Sequence, residues 1–164
     1  MEKEIELIEA IRSDVLNSVH GLTDEECNTR FKNSRWTIIQ VLEHLYLMET
    51  SLTKAMKTTL SNGEEQDVPS KPIHYTLDRS TKVDAPPFVT PTKEFQTLHE
   101  VTAKLESSRK NLLKFLNHTN KELLQKKAYP HPVFGLIRLD EWVPFIGYHE
   151  KRHLGQIEEM KKSL

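Results

Sequence analysis

Apolar residues recur every three or four positions through four long stretches of the chain, the spacing that gathers them on one face of a helix. The first stretch runs from about Glu2 to His20, with Ile5, Ile8, Ile11, Val15 and Val19 in its stripe. Gly21 ends it, and Thr23 ahead of Asp24-Glu25-Glu26 predicts a short capped turn. The second opens at Thr37 with Gln40 three positions on, a capping-box pair. Ile38, Val41, Leu42, Leu45, Met48, Leu52 and Ala55 carry its core face to about Leu60. Trp36, just ahead of the cap, is placed to staple the start of that helix to the core.

The periodicity fails between residues 61 and 91. Asn62-Gly63 opens a stretch holding Pro69, Pro72, Pro86, Pro87 and Pro91, five of the eight prolines. Few regular elements survive that density, so a long crossover loop is predicted. Such a loop frees the third helix from being the antiparallel neighbour of the second. The third helix is expected from near Thr90, with Pro91 in its first turn. Phe95, Leu98, Val101, Leu105, Leu112 and Phe115 or Leu116 form its stripe, to about His118. Thr119 then caps a short turn over residues 120–126, and Tyr129 to Gly135 read as an irregular approach to the last helix. That helix starts near Asp140 and runs almost to the C-terminus. Trp142, Phe145, Ile146, His149, His153, Gln156, Ile157 and Met160 share one face, and Pro144 falls at or just past the first turn. No stretch alternates with period two, and no repeat is present. The expected fold is all-α: one domain over residues 1–164, a four-helix bundle with a long crossover loop between helices two and three.

A chain of 164 residues, 37% of them hydrophobic, is long enough to build one core without disulfide staples. Lys and Arg number 23 against 24 Asp and Glu, a net charge of −1. That balance supplies neither a global field for nucleic acid nor a polybasic membrane anchor, and neither partner is expected. The single cysteine, Cys27, excludes an internal disulfide and a Cys-rich zinc finger. The first residues alternate charge with apolar side chains, so no secretory signal is read there. No run approaches the ~20 apolar residues of a membrane span. A cytoplasmic location is expected.

Three of the eight histidines stand where a core stripe does not ask for them. His149 and His153 lie one turn apart on the last helix and project from the same face. Imidazoles at that spacing can chelate one divalent metal through neutral nitrogens. His44, on the border of the second helix's stripe, is the candidate third ligand. At 1.5 Å per residue, His44 is about 10 Å into its helix and the pair roughly 13 to 20 Å into theirs. The three can therefore meet whether the helices run parallel or antiparallel. A lone His44 would be an ordinary boundary histidine. Three half-buried imidazoles without a shared partner, however, would each need separate hydrogen bonds.

His149-Glu150-Lys151-Arg152-His153 also matches the H-E-x-x-H metalloprotease pattern, with Glu as general base. The context fails: Gln156 and Glu159 stand where the extended pattern wants Gly and His, and no strand is predicted to bind an extended peptide. Glu150 remains a candidate to hold or deprotonate a water at the metal. Gln156, one turn past His153, is placed either to orient a ligand ring or substrate or simply as a polar residue near the bundle end. Cys27 sits among Asp24, Glu25 and Glu26, whose charge disfavours a thiolate, and reads as a small buried residue.

The stretch Trp36-Thr37-Ile38-Ile39-Gln40-Val41-Leu42-Glu43-His44-Leu45 resembles the opening motif of the DinB-like superfamily of DNA-damage-inducible and YfiT-type proteins. Tyr148 to Ile157, with His149, His153 and Gln156, is similar to its closing motif. His131-Pro132-Val133-Phe134-Gly135 through Glu141-Trp142 is similar to its approach to the last helix. The resemblance implies a four-helix bundle, usually a homodimer, with one divalent metal, nickel or zinc, held by His44, His149 and His153. Members act as thiol S-transferases or isomerases that use bacillithiol or mycothiol, or bear the label of metal-dependent hydrolase. The expected function is accordingly metal-activated transfer of a low-molecular-weight thiol to a small-molecule substrate. The alternatives are hydrolysis of a small substrate by metal-activated water, and a bundle whose metal is not catalytic.

Overall fold

A computed structural model describes all of residues 1–164. Helix α1 spans Glu2–Val19, and a short turn of helix, α2, spans Asp24–Cys27. Helix α3 spans Ile38–Asn62, α4 spans Leu98–Asn117, α5 spans Lys121–Gln125 and α6 spans Leu139–Lys161. Thr23 with Glu26 and Thr37 with Gln40 form complete capping boxes, so both helix starts are fixed by side chains that the sequence displays.

The four long helices, α1, α3, α4 and α6, build the bundle. Hydrogen bonds Ser18 to Glu158 and Arg12 to Glu150 pair α1 with α6 in rising order, so these two run parallel. Lys104 to Glu43 and Ser108 to Glu49 do the same for α4 and α3. The parallel α3–α4 pair is what the crossover loop makes possible, since a short connection would force antiparallel neighbours. The loop itself contains two short 3₁₀ helices, Ile73–Leu77 against α6 and Pro87–Val89 against α3.

The core divides into two halves. One gathers Ile8, Leu52, Met56, Leu112, Leu116, Trp142, Phe145 and Ile146; the other gathers Val15, Val19, Cys27, Ile38, Val41, Leu42, Leu45, Val101, Leu105, Ile157 and Met160. Between them, on every long helix, lies a buried charged residue: Arg12, Glu49, Arg109 and Glu150, each 1–5% exposed. Every side-chain nitrogen and carboxylate oxygen of the four has at least one partner. Arg12 donates to both Glu150 oxygens (3.1 and 2.5 Å), to Glu49 (3.1 Å) and to the Leu105 carbonyl (2.7 Å). Arg109 donates to Glu49 (3.0 and 2.8 Å), Glu150 (2.6 Å), Glu9 (3.0 Å) and the Ile8 carbonyl (2.6 Å). Ser108 Oγ donates to the remaining Glu49 oxygen at 2.7 Å.

Three expectations are corrected, the smallest being that Asn120, not Thr119, caps α5, its side chain accepting from the Leu123 amide. The third long helix begins at Leu98, not near Thr90, because Thr97 and Glu100 form their own capping box. Residues ahead of it are held out of the helix, with the Thr92 amide donating to Glu43 and its carbonyl accepting from Gln40. Phe95, assigned to the stripe, is therefore 61% exposed. The approach to the last helix is a small β-hairpin, β1 (Ala128–His131) against β2 (Gly135–Arg138), with Ala128 opposite Arg138 and His131 opposite Gly135. Strands of four residues are too short to show alternation, and Gly135 turns the chain at φ +69°. No helix is long and apolar enough to cross a membrane.

Candidate metal centre

His44 is the seventh residue of α3, and His149 and His153 stand mid-way along α6 one turn apart. The antiparallel crossing of these helices brings the three imidazoles together. One nitrogen of each lies within 4.8 Å of the others, and the ring centroids are 4.6 to 5.1 Å apart. His44 is 3% exposed, His149 sits at the edge of burial and His153 is half-buried.

Two of the rings have their tautomer fixed from outside. His44 Nδ1 donates to the carbonyl of Val89 at 2.8 Å, which leaves Nε2 bare. His153 Nδ1 donates to Gln156 Oε1 at 2.8 Å, which leaves its Nε2 bare as well. His44 Nε2 and His149 Nε2 are 3.3 Å apart. Bonds of roughly 2.0–2.1 Å at a tetrahedral angle hold two ligand nitrogens about 3.3 Å apart, so the His44–His149 spacing fits two ligands of one divalent ion, with the His153 nitrogen within 4.8 Å. A proton on His149 Nε2 would satisfy only one of the other two lone pairs; a cation satisfies all three. The donor set also fits, since neutral imidazoles suit zinc and nickel alike.

Burial lowers the pKa of all three rings, which keeps them neutral and available as ligands. His44 falls below the usual histidine value through desolvation, against the pull of the Val89 carbonyl. His149 falls well below it, from desolvation first and then from His153 and His44. His153 is pushed down to about 3, again chiefly by desolvation.

Aromatic rings brace the three imidazoles on both sides. Trp36 lies 4.8 Å from His44 and 6.5 Å from His153, while Phe145 stacks on His149 at 6.1 Å. The crossover loop closes over the same region. Arg152, between the two α6 histidines, donates to the carbonyls of Thr76, Asp78 and Thr81, and Arg79 pairs with Glu159 at 2.7 Å.

Of the residues singled out in the sequence, the structure brings His44, His149, His153 and Gln156 together. It does not bring Glu150 to them. Consecutive residues on a helix point about 100° apart, and the Glu150 carboxylate is spent on Arg12 and Arg109 in the bundle interior. Burial pushes that carboxyl up against the pull of the two guanidiniums. A general-base role for Glu150 is therefore unsupported by its surroundings. Cys27 is fully buried, and its thiol is pushed up to about 11 by desolvation and by Asp24 and Glu26. Sequence reasoning missed the Val89 carbonyl, which no side chain could announce, and the position of His131 beside the site.

The profile of the DinB superfamily matches residues 7–157. Among curated proteins, the chain is 30% identical to the uncharacterized protein YuaE of Bacillus subtilis (strain 168), covering 93% of this chain and 94% of that one. It is 25% identical to the "putative metal-dependent hydrolase OB0782" of Oceanobacillus iheyensis, over 89% of this chain and 77% of the relative. Among solved structures, TT2238, a four-helix bundle protein, superposes with a TM-score of 0.67 at 20% identity, covering 96% of each chain. YfiT of Bacillus subtilis, described as a probable metal-dependent hydrolase with an unusual four-helix bundle topology, gives a TM-score of 0.66 at 18% identity, covering 99% of this chain and 86% of its own. At those identities the two structures speak for the fold alone. The match of the superfamily profile to nearly the whole sequence settles the family: this chain belongs to the DinB superfamily.

Proposed function

We propose that the chain is a metal-dependent enzyme in which His44, His149 and His153 hold one divalent ion, nickel or zinc, and that it transfers a low-molecular-weight thiol of the bacillithiol type to an electrophilic small molecule. The observation that carries the reading is the convergence of three neutral imidazoles, two of them with the outer nitrogen already committed to a backbone carbonyl or Gln156. An ion held by three neutral ligands keeps its double charge and an open position, and there lowers the pKa of a thiol or a water. In the transfer, the thiol proton leaves to solvent, a sulfur–carbon bond forms, and the leaving group departs with the electron pair of the bond it breaks.

The curated relative named for hydrolysis favours a second reading, attack by water on a small ester, amide or lactone. Glu150 argues for the thiol. Water is a weak acid whose attack profits from a protein base, and the carboxylate next to the ligands is sequestered by two arginines. A thiol is acidic enough to ionise without one.

Elemental mass spectrometry on the untagged protein and on His44→Ala tests the reading. About one equivalent of metal in the wild type, lost in the variant, is expected, followed by conjugation of bacillithiol to a fluorogenic electrophile that chelation abolishes. A wild type that is empty and takes up neither zinc nor nickel overturns the metal reading. Metal-dependent ester cleavage that is indifferent to thiol replaces transfer with hydrolysis.

A further inference from the structure

We propose that His131 binds the substrate: its Nε2–H is the donor that holds an oxygen or anionic acceptor of the small molecule beside the three-histidine centre. This rests on the metal-dependent reading above and adds a protein group that meets the substrate.

His131 ends β1, and its Nδ1 accepts from the backbone amides of Val133 (3.0 Å) and Phe134 (3.2 Å) across the hairpin turn. A ring nitrogen that accepts two amides carries no proton, so the proton of the neutral ring is on Nε2. Burial pushes the imidazole down to about 4, so the ring is neutral at ordinary pH and donates without adding a second cation near the ligands. Nε2 itself makes no hydrogen bond within the chain.

The ring is held among Phe134 (5.0 Å), Trp142 (5.6 Å) and Phe145 (5.0 Å). Phe145 in turn stacks on His149, one turn along α6. His131 thus lies one aromatic ring away from a metal ligand, close enough that a charge on it would depress His149. The hairpin needs only Nδ1: an asparagine there would present Oδ1 to the same two amides. The residue is half-buried and its outer N–H is not needed by the fold, and a donor free of protein partners near an ion site is what an acceptor-bearing ligand uses.

Asparagine and glutamine separate the two nitrogens. His131→Asn keeps an acceptor where Nδ1 stood and loses the outer donor; His131→Gln places an amide N–H near Nε2 and loses the inner acceptor. Acetate titrated into the cobalt-loaded protein, followed by the visible spectrum, is the probe. His131→Asn is expected to bind one equivalent of cobalt and melt like the wild type while acetate weakens by about tenfold. His131→Gln should hold acetate within about threefold of wild type. In parallel, nitrogen-15 NMR of the metal-free wild type should show His131 protonated at Nε2. Wild-type acetate affinity in His131→Asn, or a proton on Nδ1, overturns the assignment and leaves His131 as a hairpin cap. A wild type that takes up no cobalt overturns the metal reading itself, and this inference with it.

Discussion

His149 and Glu150 are adjacent on α6, yet they serve two buried polar clusters that are satisfied in opposite ways. Glu150 joins Arg12, Glu49 and Arg109 in a quartet whose charges sum to zero and whose every side-chain nitrogen and carboxylate oxygen has a partner inside the protein. Both carboxylates are fully engaged by the protein and neither is left to meet a ligand. His149 joins His44 and His153 in a cluster without formal charge, where the outer nitrogens of His44 and His153 are tied down and the inner nitrogens converge. A strong perturbation of ionisable groups is thus not in itself the mark of a functional site. The mark is valence that the fold leaves unspent, and only the histidine cluster has it.

The quartet is the costlier of the two to disturb. It stands between the two halves of the core and joins all four long helices, so its removal strands charge where water cannot follow. Arg109→Met leaves Glu49 and Glu150 to share Arg12, and urea unfolding should show a loss of about 3–5 kcal/mol. Adding Glu49→Leu returns the net charge to zero and should recover most of that loss. Failure of the second substitution to rescue would mean that the four residues act through shape rather than charge balance.

How much of this contrast was legible in the sequence depends on how local each signal is. The Thr37–Gln40 box, the stripe through Ile8, Val15 and Val19, and the His149–His153 pair are set by residues within a turn or two, and all three appear in the structure as read. The start of α4 pitted two local signals against each other. Pro91 suits a first turn, but Thr97 and Glu100 cap each other, and contacts from Gln40 and Glu43 hold Thr92 out of the helix. Glu150 was misread for a different reason. The H-E-x-x-H pattern is local, whereas the arginines that claim the carboxylate stand 138 and 41 positions away. His44 Nδ1 depends on a backbone carbonyl in the crossover loop, and backbone carbonyls carry no residue-type signal.

Acidification should separate the clusters next. The histidines are held neutral by burial, so their folded pKa values lie below the unfolded value of about 6.5. Below that pH the unfolded chain takes up protons that the folded one refuses. The stability they contribute is therefore complete above about pH 6.5 and is lost as pH falls toward the folded values, at up to ~1.4 kcal/mol per pH unit for each ring. Unfolding of the metal-free protein should cost roughly 2 kcal/mol less at pH 5 than at pH 7, after allowance for partial solvent access. His44→Ala combined with His153→Ala should flatten the profile. A wild type already flat in this window would mean that the rings accept protons in place, and that their convergence is no metal site.

The smallest expected effect is the sharpest test of the outer nitrogens. Gln156 holds His153 Nδ1–H at 2.8 Å and so selects the tautomer that aims Nε2 inward. Gln156→Ala frees the ring to rotate and to carry its proton on either nitrogen, and zinc affinity, read by competition with a chelator, should weaken about tenfold. The melting temperature of the metal-free protein should barely move, because Gln156 is half-buried and touches no charged partner. A residue of purely structural value would give the reverse, a lower melting temperature with affinity intact. Gln156→Glu separates orientation from charge. A carboxylate accepts the same proton and raises the basicity of the opposite nitrogen, so affinity should equal or exceed that of the wild type.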